Sequence, residues 1–355
     1  MFGSLPLVAN GAIFVAGAAA VWIAGIKLSD SSDVLSERLG LGEALGGLIL
    51  LAIATNLPEI AITVSAALAH NLGIAIGNIL GGIAIQTVVL AVLDAWGSPA
   101  EPLTYRGSSL QLVLEAGLVV ALLVLVIMGS RMSADVIWAR VTPATALIVV
   151  FWLLGLWLVA RARSGLPWHE RGAPPDGQGM PRGASMAMKN EEMRRHAVST
   201  TRLAVVFGVA ALVTLAAGVV LEESGSAIAD RIGLSGVLFG ATVLAAATAL
   251  PEVSTGLASL RLGDYQLAIS DIFGGNAFLP TLFLVATLLS GSAVLPEAKS
   301  SDIYLTALGI LLTVVYMFGL IFRERRQWLR FGPDSLLVVS LYALGVVGLI
   351  KVTHG

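Results

Sequence analysis

The chain has 355 residues, of which 57% are hydrophobic and only 12% are charged, and its mean hydropathy is +0.89. A water-soluble domain carries about 25% charged residues, so this composition excludes a soluble enzyme and a disordered chain. The chain contains no cysteine, which excludes disulfides, thiolate metal sites and a cysteine nucleophile. Its four histidines are scattered and form no zinc-binding pattern. The net charge of −2 gives no reason to expect a nucleic-acid partner.

Ten apolar stretches follow one another along the chain. A helix that spans the hydrocarbon core needs ~20 apolar residues, and each stretch is about that long or longer. The sequence therefore predicts an all-α integral membrane protein with about ten transmembrane helices. The predicted helices cover 5–28, 39–68, 72–95, 109–129, 137–160, 203–221, 234–261, 265–290, 302–322 and 334–350.

One long polar stretch, 162–201, separates a first half, 1–161, from a second half, 202–355. Its clustered Gly and Pro residues predict a linker loop. In the ten-helix topology, most of the 21 Lys and Arg residues lie on the same side of the membrane as this loop. The positive-inside rule then places the loop in the cytoplasm and both termini outside an inner (plasma) membrane. In this topology, Glu222 and Glu223 lie in an outer loop.

The two halves contain an internal repeat. A single shift of the chain without gaps overlays 47–84 on 240–277 and aligns Thr55-Asn-Leu-Pro-Glu59 with Thr248-Ala-Leu-Pro-Glu252. Five predicted helices separate the copies, and an odd number reverses the direction in which the chain crosses the membrane. The sequence thus predicts two inverted five-helix repeats, an architecture of secondary transporters with a binding site at the midplane between the repeats.

Each copy of the motif predicts a broken helix beside an acidic side chain. Proline lacks an N–H and its ring clashes with the carbonyl one turn earlier, so Pro58 and Pro251 free backbone carbonyls at membrane depth. Glu59 and Glu252 follow directly. A charge at the bilayer centre costs ~3 kcal/mol on insertion scales, which favours a functional role over burial as protonated packing residues. Together with Thr55 and Thr248 they form a set of hard oxygen donors suited to calcium or sodium.

Further polar residues accompany the motifs and are candidate ligands. Asn56 lies inside the first motif, and Asn78 and Asp271 lie in the glycine-containing segments of the two following helices. Asp271 is either a third carboxylate of the site or a solvated cap. Gln86 either lines the ion pathway or bonds to a neighbouring helix, and Asn276 lies inside the apolar run of helix 8. The paired glycines of these segments favour close helix packing.

The motifs resemble those of the calcium/cation antiporter superfamily, the sodium/calcium exchanger type of membrane protein. Thr55–Glu59 and Thr248–Glu252 resemble the two repeats of that family, and Gly77–Gly82 and Ser270–Asn276 resemble its Gly-Asn-x-x-Gly-Ser-Asn segments. The resemblance implies alternating access, with the glutamates binding the transported cation. It implies no cofactor and no enzymatic activity, and its partners are inorganic cations and the lipid bilayer.

This chain departs from the family pattern at several ligand positions. The family has serine where this chain has Asn56 and Ala249, and again at the second position of both Gly-Gly pairs. One turn later the family usually has Asn or Asp, and this chain has Gln86 and Leu279. Asp271 occupies a position where Asn is usual.

Two carboxylates can balance one divalent cation, two monovalent cations or two protons. They lack the third acid that helps a site to hold several sodium ions, so the sequence favours an antiporter that exchanges calcium or sodium for protons. A sodium/calcium exchanger driven by sodium is the alternative. An intramembrane hydrolase is more remote, because the acids belong to symmetric, inverted copies without a Ser/His or metal set. A cation channel is also more remote, because a two-glutamate cluster at the midplane favours occlusion of the ion.

Overall fold

The computed structural model describes residues 2–38, 53–97, 101–163 and 199–354. These residues form helices and connecting turns, and no strand is found among them beyond two isolated bridges. The linker predicted at 162–201 and the start of the second predicted helix, 39–52, lie largely or wholly outside the described residues. The helices are α1 Leu7–Arg38, α2 Leu57–Leu68, α3 Leu72–Gly97, α4 Leu103–Gly107, α5 Leu110–Gly129, α6 Pro143–Arg163, α7 Thr200–Ile232, α8 Gly236–Thr248, α9 Leu250–Leu262, α10 Tyr265–Phe278, α11 Leu282–Ser290, α12 Ser300–Phe322 and α13 Pro333–His354.

The protein is an all-helical, multi-pass membrane protein. Eight helices in the described ranges are long and apolar enough to cross a membrane, or nine if the bent pair α8–α9 is one span. The shorter helix α2 is the described part of the second predicted span. Helices α10 and α11 form one 26-residue span, interrupted at Pro280 by a single 3-10 turn, Leu279–Thr281, because proline cannot donate to the helix ladder.

Three predicted helix ends are wrong. The fifth helix begins at Pro143 rather than at 137, because residues 138–141 form a tight turn. The first helix extends to Arg38 and the sixth extends from Thr200 to Ile232, in each case well beyond its predicted end. Glu222 therefore lies inside α7 rather than in an outer loop, is only 3% exposed and accepts a hydrogen bond of 3.0 Å from Ser65. Charged residues in the last turns of the first and sixth helices lower the hydropathy there, but they do not end a helix, because charged side chains are compatible with helical backbone.

The fold repeats itself about the middle of the chain. The shift that aligns the two motifs also aligns the first residues of α1 and α7, Leu7 and Thr200, and α3 and the span Tyr265–Ser290 have the same length of 26 residues. Helix α3 is the most buried of the candidate spans and forms the centre of the bundle. It approaches α8 backbone to backbone, because a Cβ on Gly81 would overlap with the Ala241 Cα. This close approach places the two broken helices beside α3.

Candidate functional site

Both motifs break a helix at the same position. Residues 53–55 are helical, Asn56 leaves the helix with φ −92° and ψ 14°, and α2 begins at Leu57. In the second half, Ala249 has φ −80° and ψ 1°, and α9 begins at Leu250 after a bend of 41° from α8. Pro58 and Pro251 cause the break, because neither can donate to the carbonyl one turn earlier. Non-helical backbone at membrane depth persists only where protein or a polar cavity covers it.

The two motif glutamates lie in the first turns of α2 and α9 and are buried. Glu59 is 0% exposed and Glu252 is 2% exposed, and their carboxylates lie close enough to interact electrostatically. Neither forms an ion pair with a Lys or Arg in the part of the chain that the structure describes. The positive ends of the two helix dipoles offset only part of this negative charge. The site therefore has an acidic centre that a cation or protons would neutralise.

Polar side chains link the two motifs across the centre. The Gln86 Nε2 of α3 lies 3.3 Å from the Asn56 Oδ1 and 3.4 Å from the Glu252 Oε1, to which it donates. Thr248 and Gln86 lie beside the Glu59 carboxylate, although neither makes a hydrogen bond of normal geometry to it. Thus Gln86 from the first half contacts Glu252 of the second half, and Thr248 from the second half lies next to Glu59.

The other predicted ligands have different hydrogen-bond partners. Asn56 donates to the Thr55 hydroxyl at 3.4 Å, which keeps both residues of the first motif in one polar group. Asp271 is half-buried, accepts from the Thr255 hydroxyl at 3.1 Å and lies within electrostatic reach of Glu252. Asn276 donates instead to Thr87 on α3 at 3.1 Å. The Asn78 amide is fully buried and has no hydrogen-bond partner.

The two halves differ where α3 and α10 face the site. A Cβ on Gly275 would meet the Asn56 Nδ2 at 3.0 Å and the Gln86 Oε1 at 3.3 Å, whereas a Cβ on Gly82 would meet the Leu279 side chain at 3.2 Å. Gln86 and Leu279 are equivalent positions of the repeat. The amide group of the first half thus has an apolar counterpart in the second half, and Gly275 leaves the space that the amides occupy.

Each of the long helices α1 and α7 packs on the motif of the other half: α1 on the second motif and α7 on the first. A Cβ on Gly25 of α1 would lie 2.5 Å from the Pro251 ring, and a Cβ on Gly218 of α7 would lie 3.1 Å from the Pro58 carbonyl oxygen and 2.7 Å from the Ala61 Cβ. The repeat shift superimposes Gly25 on Gly218, so this contact belongs to the repeat. The Trp22 indole N–H also donates to the Ser254 hydroxyl.

Alanine at these two glycines is expected to slow transport strongly. Each methyl group would overlap with the other half's motif, and overpacking of this kind costs about 1–3 kcal/mol. Gly25→Ala and Gly218→Ala should therefore reduce initial rates of cation flux in reconstituted vesicles. Gly11→Ala and Gly208→Ala are matched controls on the same helices, because a Cβ at either position meets nothing within 4 Å. Equal rates in all four variants would show that this close approach has no role in transport.

The donor set determines what the centre can bind. Four buried oxygens of three side chains have no hydrogen-bond partner, namely both carboxylate oxygens of Glu59, the Glu252 Oε2 and the Gln86 Oε1. Such oxygens suit calcium, sodium or protons rather than a soft metal. Two buried carboxylates carry negative charge at the centre, and Asp271 lies within electrostatic reach of Glu252. The described residues contain no group of three or more His, Asp or Glu side chains that would hold a metal ion.

The sequence predicted the broken helices and the buried acids but not which groups cross between the halves. Gln86 was a candidate with two possible roles, and in the structure its amide contacts both Asn56 and Glu252. The only sequence signal for this was its place in an otherwise apolar run, one turn after the Gly-Gly pair. Nothing in the sequence signalled the contacts of Thr255 with Asp271 or of Trp22 with Ser254.

Comparison with known proteins agrees with these observations. The family model described as sodium/calcium exchanger protein matches residues 10–162 and 202–351. The inner membrane protein YrbG of Escherichia coli (strain K12) is 24% identical over 316 residues, which are 87% of each chain.

Two solved structures share the fold. The H+/Ca2+ exchanger CAX matches with a TM-score of 0.65 and 13% identity over 98% of this chain and 87% of that chain. The sodium-calcium exchanger NCX_Mj matches with a TM-score of 0.59 and 17% identity over 97% of this chain and 100% of that chain. Both structures are named as exchangers of inorganic cations. Because the family model matches most of its length, the chain belongs to the sodium/calcium exchanger family of membrane antiporters.

Proposed function

We propose that this chain exchanges calcium or sodium for protons by alternating access, at a midplane site built around Glu59 and Glu252. The observation that carries the proposal is the pair of buried carboxylates, each directly after a helix break and without a basic partner among the described residues. Burying such charge is costly, so the pair binds either a metal cation or protons. Alternation between these two occupants is cation/proton exchange.

The predicted ligands other than the two glutamates support the binding of one cation rather than several. Gln86 provides an amide where a further acid would help to hold a second or third monovalent ion, and Leu279 provides no ligand at the equivalent position. Thr248 adds a neutral oxygen beside the Glu59 carboxylate. Thr55 and Asn56 add neutral oxygens to the polar group that Gln86 joins to Glu252. Asn78, Asp271 and Asn276 belong to the outer part of the proposed ligand set. Asp271 accepts a hydrogen bond from Thr255, and Asn276 donates one to Thr87.

The coupling ion is tested by flux into proteoliposomes. With the membrane potential clamped and calcium or sodium supplied as the only external metal cation, an acidic lumen should drive its uptake, because protons leave as the metal ion enters. A protonophore should abolish this uptake. Protein-free vesicles are the control.

The alternative is a sodium/calcium exchanger, which the family membership favours. It predicts calcium uptake driven by a sodium gradient at clamped pH, and that result would refute proton coupling. A cation channel would conduct without a counter-ion on the opposite side. Dependence of the flux on a counter-ion therefore separates an antiporter from a channel.

We also infer that the protein lies in the inner membrane with both termini outside and the loop 162–201 in the cytoplasm. The inference rests on the Lys and Arg residues of the loops on that side, which favour the cytoplasm. Because the chain has no cysteine, one introduced cysteine per loop gives the topology by labelling with an impermeant maleimide in intact cells.

A further inference from the structure

A second, unpredicted part of the repeat joins the last two helices of each half. Trp138 pairs with Val141 and Trp328 with Phe331 through antiparallel bridges, with N–H to O distances of 2.8–2.9 Å in each. The two central residues of each turn have positive φ, 49° and 60° at 139–140 and 53° and 73° at 329–330. These values are typical of a type I′ turn. The turns are equivalent in the inverted halves, so they lie on opposite faces of the membrane.

The two turns share an exposed apolar tip. Trp138 is 85% exposed in the first turn, and Trp328 and Leu329 are 55% and 86% exposed in the second. Tryptophan at the ends of spanning helices is typical of the level of the lipid headgroups. Each turn therefore places its neighbouring side chains next to the headgroups.

The turns differ in charge. Segment 323–332 contains four arginines and one glutamate, a net charge of +3, whereas 131–142 contains two arginines and one aspartate, a net charge of +1. In the second turn Arg325, Arg326 and Arg330 are exposed to solvent. One fold element thus occurs in a strongly basic and a weakly basic form.

The basic turn is organised around an aromatic ring. The Cζ atoms of Arg323 and Arg325 lie 5.0 Å and 4.8 Å from the centroid of the Tyr105 ring, so the two guanidinium groups are at most about 10 Å apart. Glu101 holds Arg325 at 3.4 Å and also binds Arg106 at 3.2 Å. The Arg323 Nε is buried and has no hydrogen-bond partner in the described structure.

An apolar cleft adjoins this turn. The cleft, of about 240 Å³, lies between α12 and α13 and has an apolar wall of Phe318, Phe322 and Leu337. Two acidic residues, Glu324 and Asp334, line the end that meets the turn. Phe322 is 79% exposed. A hydrocarbon chain fits this wall, while a headgroup at the same height meets the arginines.

We propose that the turn 323–332 is a binding site for an anionic phospholipid, whose phosphodiester binds Arg323, Arg325 and Arg326 while Trp328 and Leu329 lie among the surrounding headgroups. The guanidinium group matches a phosphate through paired N–H donors, and basic clusters at helix ends bind anionic headgroups. The site is separate from the two-glutamate centre and does not depend on the proposed function.

The test compares lipids retained by the purified full-length protein in native mass spectrometry. Phosphatidylglycerol should bind in preference to phosphatidylcholine. The double variant Arg325→Gln/Arg326→Gln should lower the affinity for phosphatidylglycerol roughly 30-fold. The variant Arg325→Lys/Arg326→Lys keeps the charge but loses the paired donors, so its affinity should lie between those of the unaltered protein and the glutamine variant. The matched control, Arg131→Gln/Arg140→Gln in the weakly basic turn, should leave the affinity unchanged.

Several outcomes would overturn the proposal. Equal retention of the two lipids, or an equal loss in both glutamine variants, would show that the basic turn is not a specific site. Displacement of the lipid by inorganic phosphate at the same concentration would show an anion site without a lipid contribution. Thermal melting of each variant without added lipid identifies any loss that comes from misfolding.

Discussion

Glutamine at Glu59 or at Glu252 is expected to reduce cation flux to the level of protein-free vesicles. The substitution keeps the size of the side chain but removes one of the two negative charges that the centre offers to a cation. A loss of ~3 kcal/mol, the scale of a charge at membrane depth, corresponds to more than 100-fold in affinity. The neutral amide also cannot carry a proton, so the variant should fail whether protons or sodium are the coupling ion.

Glu223→Gln is the matched control for these variants. Glu223 lies in α7 and is exposed, and its substitution removes the same charge without touching the centre. Flux should remain close to that of the unaltered protein. If Glu59→Gln and Glu252→Gln were folded, as judged by gel filtration and thermal melting, and still transported at the unaltered rate, the two-glutamate site would be wrong.

Alanine at Gly275 is expected to produce the second large effect. The added methyl group would lie 3.0 Å from the Asn56 Nδ2 and 3.3 Å from the Gln86 Oε1. It would therefore displace both amides, and the amide of Gln86 donates to Glu252. A cost of about 1–2 kcal/mol corresponds to a fall of roughly 5- to 30-fold in cation affinity. The apparent KM of flux should rise, while the helix itself gains from replacing glycine.

The neighbouring glycine provides the control for this variant. A Cβ on Gly274 would meet nothing within 4 Å, and alanine there has the same effect on the helix backbone. Gly274→Ala should therefore leave the KM of flux unchanged. A similar rise of KM in both variants would mean that the effect comes from the backbone of α10 and not from the amide pair.

The motif chemistry was predictable from the sequence because it depends on local properties. Proline breaks the hydrogen-bond ladder inside any helix. A glutamate beside it in an apolar run is costly to bury, and this cost indicates a function. A single gapless shift of the chain was sufficient to pair the two breaks. Whether Glu59 and Glu252 bind the transported ion stays a prediction.

The features that the sequence did not predict depend on how helices pack in three dimensions, which a single sequence does not contain. The duplicated Trp-x-Arg turn was missed because its copies, at Trp138 and Trp328, are closer together in the chain than the two motifs, so the gapless shift does not align them. The crossed packing of Gly25 on Pro251 and of Gly218 on Pro58 depends on the tilt of α1 and α7. The π-helical stretch Gly240–Leu244 had no sequence signal either.

The unlike pair Gln86 and Leu279 has an energetic consequence for an inverted-repeat antiporter. Such a protein opens to opposite sides when its halves exchange conformations, and identical halves would make the two orientations equal in free energy. Here an amide forms hydrogen bonds where its counterpart has none, and one such bond contributes about 1 kcal/mol. The empty carrier is thus expected to rest facing one side several times more often than the other, and its forward and reverse kinetics should differ accordingly.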